Sequence, residues 1–190
     1  MSTPLVNDFD HWIRTRFVDI NTELEHRYFA QQRREEVSHV GDDLKTSLLE
    51  ECGEFIRLLL GEGNTDEGFD SGFDLLGNVG FVLAACRRHE IDEHHSTLKN
   101  ASALAMQLGA SLGVVPRFAS AHLETHNRAI NGKYKTFTHL EDEKTFLDYN
   151  TRGVFGFVRA SEALLHTLPL GISHPVTLDL LNVARVALQQ

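Results

Sequence analysis

The chain has 190 residues and a formal net charge of −9, with 42% hydrophobic and 24% charged residues. That balance excludes a disordered polymer and a membrane-embedded one, and the length suffices for one domain with its own core. A nucleic-acid binder presents a basic face, whereas the longest basic group here is Arg33–Arg34, followed at once by Glu35–Glu36, so no nucleic-acid partner is expected.

The start, MSTPLVNDFDHW, lacks a basic region followed by an apolar core. No apolar run reaches the roughly 20 residues of a membrane span. Cys52 and Cys86 form neither a metal-type C-x-x-C nor a disulfide framework. A cytoplasmic protein without membrane partners is the expectation.

In chain order, Phe9, Trp12, Ile13, Phe17, Ile20 and Leu24 recur at spacings of three and four, which predicts one amphipathic helix capped by Asn7 or Asp8. Leu44, Leu48, Leu49, Cys52, Phe55, Ile56 and Leu59 form a second stripe, stopped by Gly61 and Gly63. A third begins at Phe73, Leu76 and Val79 and runs to His89, with Arg87 and Arg88 in its last turn, where cations suit the helix dipole. A fourth helix is expected over 96–112. Pro116 suits the first turn of a fifth, ending near Ala129. Residues 131–139 read as a polar loop. A long helix follows over 141–168, with a kink expected near Gly153 and Gly156, and Ser173 and Pro175 open the last. With no strand alternation, the fold class is all-α, a bundle of six to seven helices.

The stretch LLEECGEF carries Glu50, Glu51 and Glu54. Glu51 and Glu54 share a helix face, and carboxylates so placed are hard oxygen ligands suited to Mg²⁺. From Leu48 to Asp92 the chain resembles the all-α, MazG-like nucleoside-triphosphate pyrophosphatases, which show E-x-x-E on one helix and E-x-x-D on the next. The second pair falls on Leu75 and Asn78, with Asp70 and Asp74 nearby at other spacings. That departure favours solvated carboxylates, with Cys52, Phe55 and Ile56 packing inward.

Eleven histidines invite metal hypotheses. His122 and His126, four apart in HLETH, share a face if helical, but Glu124 is misplaced for an H-E-x-x-H site, and a surface pair is expected. His94 and His95 read as solvated, and His89 as a helix-terminal cation. No Ser/His/Asp set and no phosphate loop is present.

Residues 70 to 190 resemble a second family. The carrying features are Gly80-Phe81-Val82-Leu83 in a helix ending Arg87-Arg88-His89, then Leu112 and Pro116 at a helix start. Thr138 and Glu141 follow at the next helix start, and last comes Arg152-Gly153-Val154-Phe155. This order is similar to the pyrrolnitrin-biosynthesis family that makes monodechloroaminopyrrolnitrin, within the helical, heme-binding indoleamine/tryptophan 2,3-dioxygenase superfamily. The resemblance implies heme-dependent oxidation or rearrangement of an indole-type small molecule. The heme supplies the oxidative chemistry, and the protein supplies the axial ligand, shape and distal polarity.

By that resemblance the distal side falls on Ser120 and Leu123 and on Arg152, Phe155, Phe157 and Val158, with Ser120 and Arg152 as the polar contacts. Val158 stands where the dioxygenases place a distal polar residue. The family's proximal histidine comes late in a longer chain, and nothing here matches that segment. Residues 1–190 are therefore expected to be a single helical domain forming the N-terminal part of a longer heme-dioxygenase-like protein. The alternatives are a Mg²⁺-dependent pyrophosphohydrolase using Glu50, Glu51, Glu54 and Asp74, and a non-catalytic helical module that forms a homo-oligomer through an exposed apolar face.

Overall fold

A computed structural model of the chain describes residues 3–63 and 68–189. The described residues form seven α-helices and one 3-10 turn, with no strand beyond an isolated Ile130–Lys133 bridge, so the chain is all-α. The chain divides into two compact units, Met1–Glu143 and Lys144–Gln190.

In the first unit α1 spans Pro4–Ile13 and α2 spans Arg16–Phe29. The cap of α1 is Thr3, whose side chain accepts the Val6 N–H at 3.4 Å, and the expected caps Asn7 and Asp8 lie inside the helix. The single expected helix over Phe9–Leu24 breaks at Thr15, with φ −130° and ψ −90°. The preceding Arg14 is buried, its guanidinium bound to Asp10 and to the Lys133 carbonyl. Both halves of the stripe still face one core, in which Phe9, Ile13, Phe17, Ile20 and Leu24 are fully buried.

Helices α3 (Asp42–Glu62), α4 (Phe69–Arg88) and α5 (Ser96–Leu112) complete that core. Gly63, at φ +79°, ends α3 as expected. Helix α4 is long and apolar enough to cross a membrane, but most of it is buried by its neighbours. Each large apolar side chain so buried contributes about 1.5–3 kcal/mol.

The helix expected from Pro116 to Ala129 does not form. Residues 113–140 run as an irregular strap with one 3-10 turn, Ser120–His122. Tertiary contacts override the local signal here. A Cβ on Gly80 would meet the Phe118 ring at 2.7 Å, and one on Gly77 would meet the His122 ring at 2.9 Å, so two glycines of α4 are notches that receive two rings of the strap. Asn131 and Gly132, both at positive φ, make a two-residue turn closed by paired 3.0 Å hydrogen bonds between Ile130 and Lys133. The strap ends at Thr138, whose N–H and hydroxyl bind the Glu143 carboxylate at 2.7 and 2.6 Å. Glu143 therefore takes the helix-start role expected of Glu141.

The second unit holds the rest of α6 (Glu141–Thr167) and α7 (Pro175–Ala187). The helix expected over 141–168 forms in one piece. Its seam with α7 is built from small residues: Ala160 and Ala163 pack against Ala184 and Ala187. A Cβ on Gly156 would lie 2.8 Å from the Ala187 carbonyl oxygen, so that glycine permits a close approach. The His174 ring caps α7 by accepting the Val176 N–H.

Candidate functional site

The first unit carries a buried polar centre among α1, α4 and the strap. Asp10 interrupts the apolar face of α1 and is bound by Arg14 at 2.7 Å, by the Lys135 ammonium at 2.8 Å and by the Asn78 amide at 3.3 Å. Lys135 is 1% exposed and also binds Asp74 at 2.7 Å. Burial alone would raise the Asp10 carboxyl, but the two cations outweigh it and hold the group below the usual carboxylate range. Buried charges of this kind persist only when paired.

His122 lies beside this centre. It stacks on Phe73, ring centroids 4.1 Å apart, and its Nδ1 accepts the Ala119 N–H at 3.0 Å. That bond leaves the proton on Nε2, which is buried without a partner, as is the Asn78 Oδ1. Burial pushes the imidazole down to about 4. His126 meets Phe73 edge-on at 4.8 Å. The expected surface pair on one helix face is thus a buried ring and a half-buried ring on an irregular segment. A cleft of about 460 Å³ lies alongside, lined by Arg14, Asp70, Ser71, Asp74, His126 and Arg128.

His89, expected as a helix-terminal cation, is buried and neutral. Tyr28 Oη lies 2.9 Å from its Nδ1 and Asn21 Oδ1 lies 2.6 Å from its Nε2. Burial, aided by Arg88 and Lys45, lowers it to about 3.

The carboxylates of LLEECGEF do not converge. Glu50 and Glu54 are exposed, while Glu51 accepts the Trp12 indole N–H at 2.7 Å and pairs with Arg16 at 3.0 Å. Leu75 and Asn78 are buried in α4, and Asp74 is taken by Lys135. Among the described residues no three His, Cys, Asp or Glu side chains are grouped to hold a metal ion.

The six residues assigned to a cofactor fall into two sets. Ser120 opens the 3-10 turn and is exposed, and Leu123 ends that turn, half-buried against the core. Arg152, Phe155, Phe157 and Val158 lie on α6 in the second unit. Arg152 pairs with Asp148 at 2.9 Å, and the three apolar side chains are exposed, Phe157 at 68%. Sequence reasoning missed Asp10 and Lys135, and weighed Asn78 only as a replaced metal ligand. A signal existed for Asp10, a carboxylate inside an apolar stripe with Arg14 one turn later. Lys135 left none, since a lysine in a polar loop reads as solvated.

The donor set bears on heme directly. The buried histidines offer no free lone pair: both nitrogens of His89 are committed, and the Nδ1 bond of His122 leaves its Nε2 protonated. Of the residues expected at a cofactor, Ser120 presents an exposed hydroxyl beside Leu123 in the first unit, and Phe155, Phe157 and Val158 present exposed apolar side chains in the second.

Comparison with curated proteins returns no match. A family model described as monodechloroaminopyrrolnitrin synthase PrnB matches residues 3–190, nearly the whole chain and well beyond the segment on which the resemblance was read. The chain belongs to the monodechloroaminopyrrolnitrin synthase PrnB family.

Proposed function

We propose that this chain serves heme-dependent oxidation or rearrangement of an indole-type small molecule, in the cytoplasm, and that Ser120, Leu123, Arg152, Phe155, Phe157 and Val158 would contact the heme or its ligand. The observation that carries this reading is the family match over residues 3–190. Bound heme supplies the oxidative chemistry at its iron. In the first unit Ser120 offers a hydroxyl to a polar group of the ligand beside the apolar Leu123, and in the second unit Phe155, Phe157 and Val158 offer apolar surface to a flat ring. Arg152, already paired with Asp148, offers a cation that an anionic substituent can recruit.

The test is a hemin titration with imidazole supplied as axial ligand, followed in the Soret region. A saturable band that weakens severalfold in Phe155→Ala and Phe157→Ala supports the reading. No saturable band, or a band indifferent to all six substitutions at Ser120, Leu123, Arg152, Phe155, Phe157 and Val158, overturns it.

A second reading, self-association, is favoured by one feature of the α6–α7 hairpin. Its seam buries alanines, while Phe157, Leu164, Leu165, Leu168, Leu178 and Leu188 stay exposed. Light scattering that reports a monomer at micromolar concentration removes it.

A further inference from the structure

We propose that Lys135 is a positioning residue for the Ser120–Leu123 turn: its buried ammonium latches the strap to α1 and α4, and the Asn127 side chain relays that fixation to the turn. The role of the turn itself rests on the reading above.

The relay is continuous. Lys135 Nζ sits between Asp10 of α1 and Asp74 of α4 at 2.8 and 2.7 Å. Its backbone N–H donates to Asn127 Oδ1 at 2.9 Å, and its carbonyl accepts from Asn127 Nδ2 at 2.7 Å. The same Nδ2 donates to the Leu123 carbonyl at 3.1 Å. The turn is closed by Leu123 N–H to the Ser120 carbonyl at 2.9 Å and by the Ala119 N–H to His122 Nδ1. One amide side chain therefore joins the latched residue to the turn that carries Ser120 and Leu123.

Chemistry favours a latch over an incidental ion pair. A surface pair is worth little and its partners wander. Lys135 is sealed from water, so its ammonium cannot leave without losing both carboxylates, and breaking such a pair is far costlier than never forming it. The strap has no repeating backbone ladder of its own to hold it. Its placement depends on side chains: Phe118 and His122 in the glycine notches, Lys135 in the charge cradle, Arg14 on the Lys133 carbonyl, and Thr22 and Asp19 on His139. The first two fix depth against α4, whereas Lys135 binds two helices at once and so fixes where the strap lies along them.

The experiment compares Lys135→Met, Asn127→Ala and the double variant in the full chain by hydrogen exchange. The amides of Leu123, Glu124 and His126, bonded to Ser120 and Ala121 carbonyls, should exchange on the order of tenfold faster in each single variant. The double variant should be no faster than the more affected single one, because both changes cut one relay. Exchange in α3 and α5 should not change. Unaltered exchange in the turn, rates that multiply in the double variant, or equal loosening of α3 would each overturn the proposal. If Lys135→Met does not fold, Asp74→Asn replaces it, since Asp74 is only half-buried.

A second readout is the Soret maximum with hemin and imidazole. Both single variants should move it in the same direction with far-UV circular dichroism unchanged, and a maximum that neither moves overturns the link to the ligand. Should the unaltered chain bind no hemin, the function reading fails, while the exchange comparison still decides the role of Lys135.

Discussion

Tyr28 Oη lies 2.9 Å from Nδ1 of His89 in the centre of the first unit, and because Nε2 of that ring donates to Asn21, the Tyr28 hydroxyl is the donor at Nδ1. The arrangement holds only for a neutral imidazole. Protonating Nδ1 would turn the Tyr28 hydroxyl from donor to acceptor and place a charge in a site closed to water.

Stability should therefore fall as the solution is acidified. His89 is lowered to about 3 and His122 to about 4, both from an ordinary value of 6.5. Folded-state values below the unfolded one give stability that is complete above pH 6.5 and is lost as pH drops through the folded value. Between pH 7.5 and pH 5 each ring should remove about 2 kcal/mol. Urea unfolding at the two pH values measures it. Asp10, also lowered, adds a loss of the same sign at still lower pH.

Glu51 should behave as a structural residue. Glu51→Ala leaves the Trp12 indole N–H without its 2.7 Å acceptor and should cost about 1–2 kcal/mol. The fluorescence of Trp12, the one tryptophan of the chain, should shift. Glu54→Gln, on an exposed position, should change stability by less than about 0.5 kcal/mol. Equal effects would contradict this assignment.

Alanine at Gly80 of α4 and at Gly153 of α6 should have effects of opposite sign. Gly80→Ala sets a methyl 2.7 Å from the Phe118 ring and 3.2 Å from its Cα, which a side-chain rotation does not relieve. It should cost about 1–3 kcal/mol. Gly153→Ala, with open space around it, should stabilise by about 0.5–1 kcal/mol through helix propensity. Thermal unfolding of the two variants gives the comparison.

The thiols should be inert in the folded chain. Burial raises both Cys52 and Cys86, the latter to about 12, and only the thiolate reacts. A thiol-specific chromogenic reagent should modify neither until denaturant is added. Rapid modification of the native protein would show that the α3–α4 interface opens.

Much of the fold was legible in the residues themselves. The stripes behind α3, α4 and α5 and the periodicity of α6 and α7 appear as helices close to the expected limits, because a 3.6-residue repeat of apolar side chains encodes both the element and its buried face. The family was legible as well, from the order and spacing of features along one chain. What the linear pattern did not carry was partnership. Pro116 opens no helix because Phe118 and His122 fit notches that only the folded α4 presents. His89 is neutral because Tyr28 and Asn21 reach it from α2. Lys135 reads as a solvated loop residue until Asp10 and Asp74 are brought to it from positions 125 and 61 residues earlier. Periodicity is a property of neighbours in sequence, whereas burial of a charge, the protonation of a ring and the path of an irregular strap depend on residues brought together only by tertiary structure.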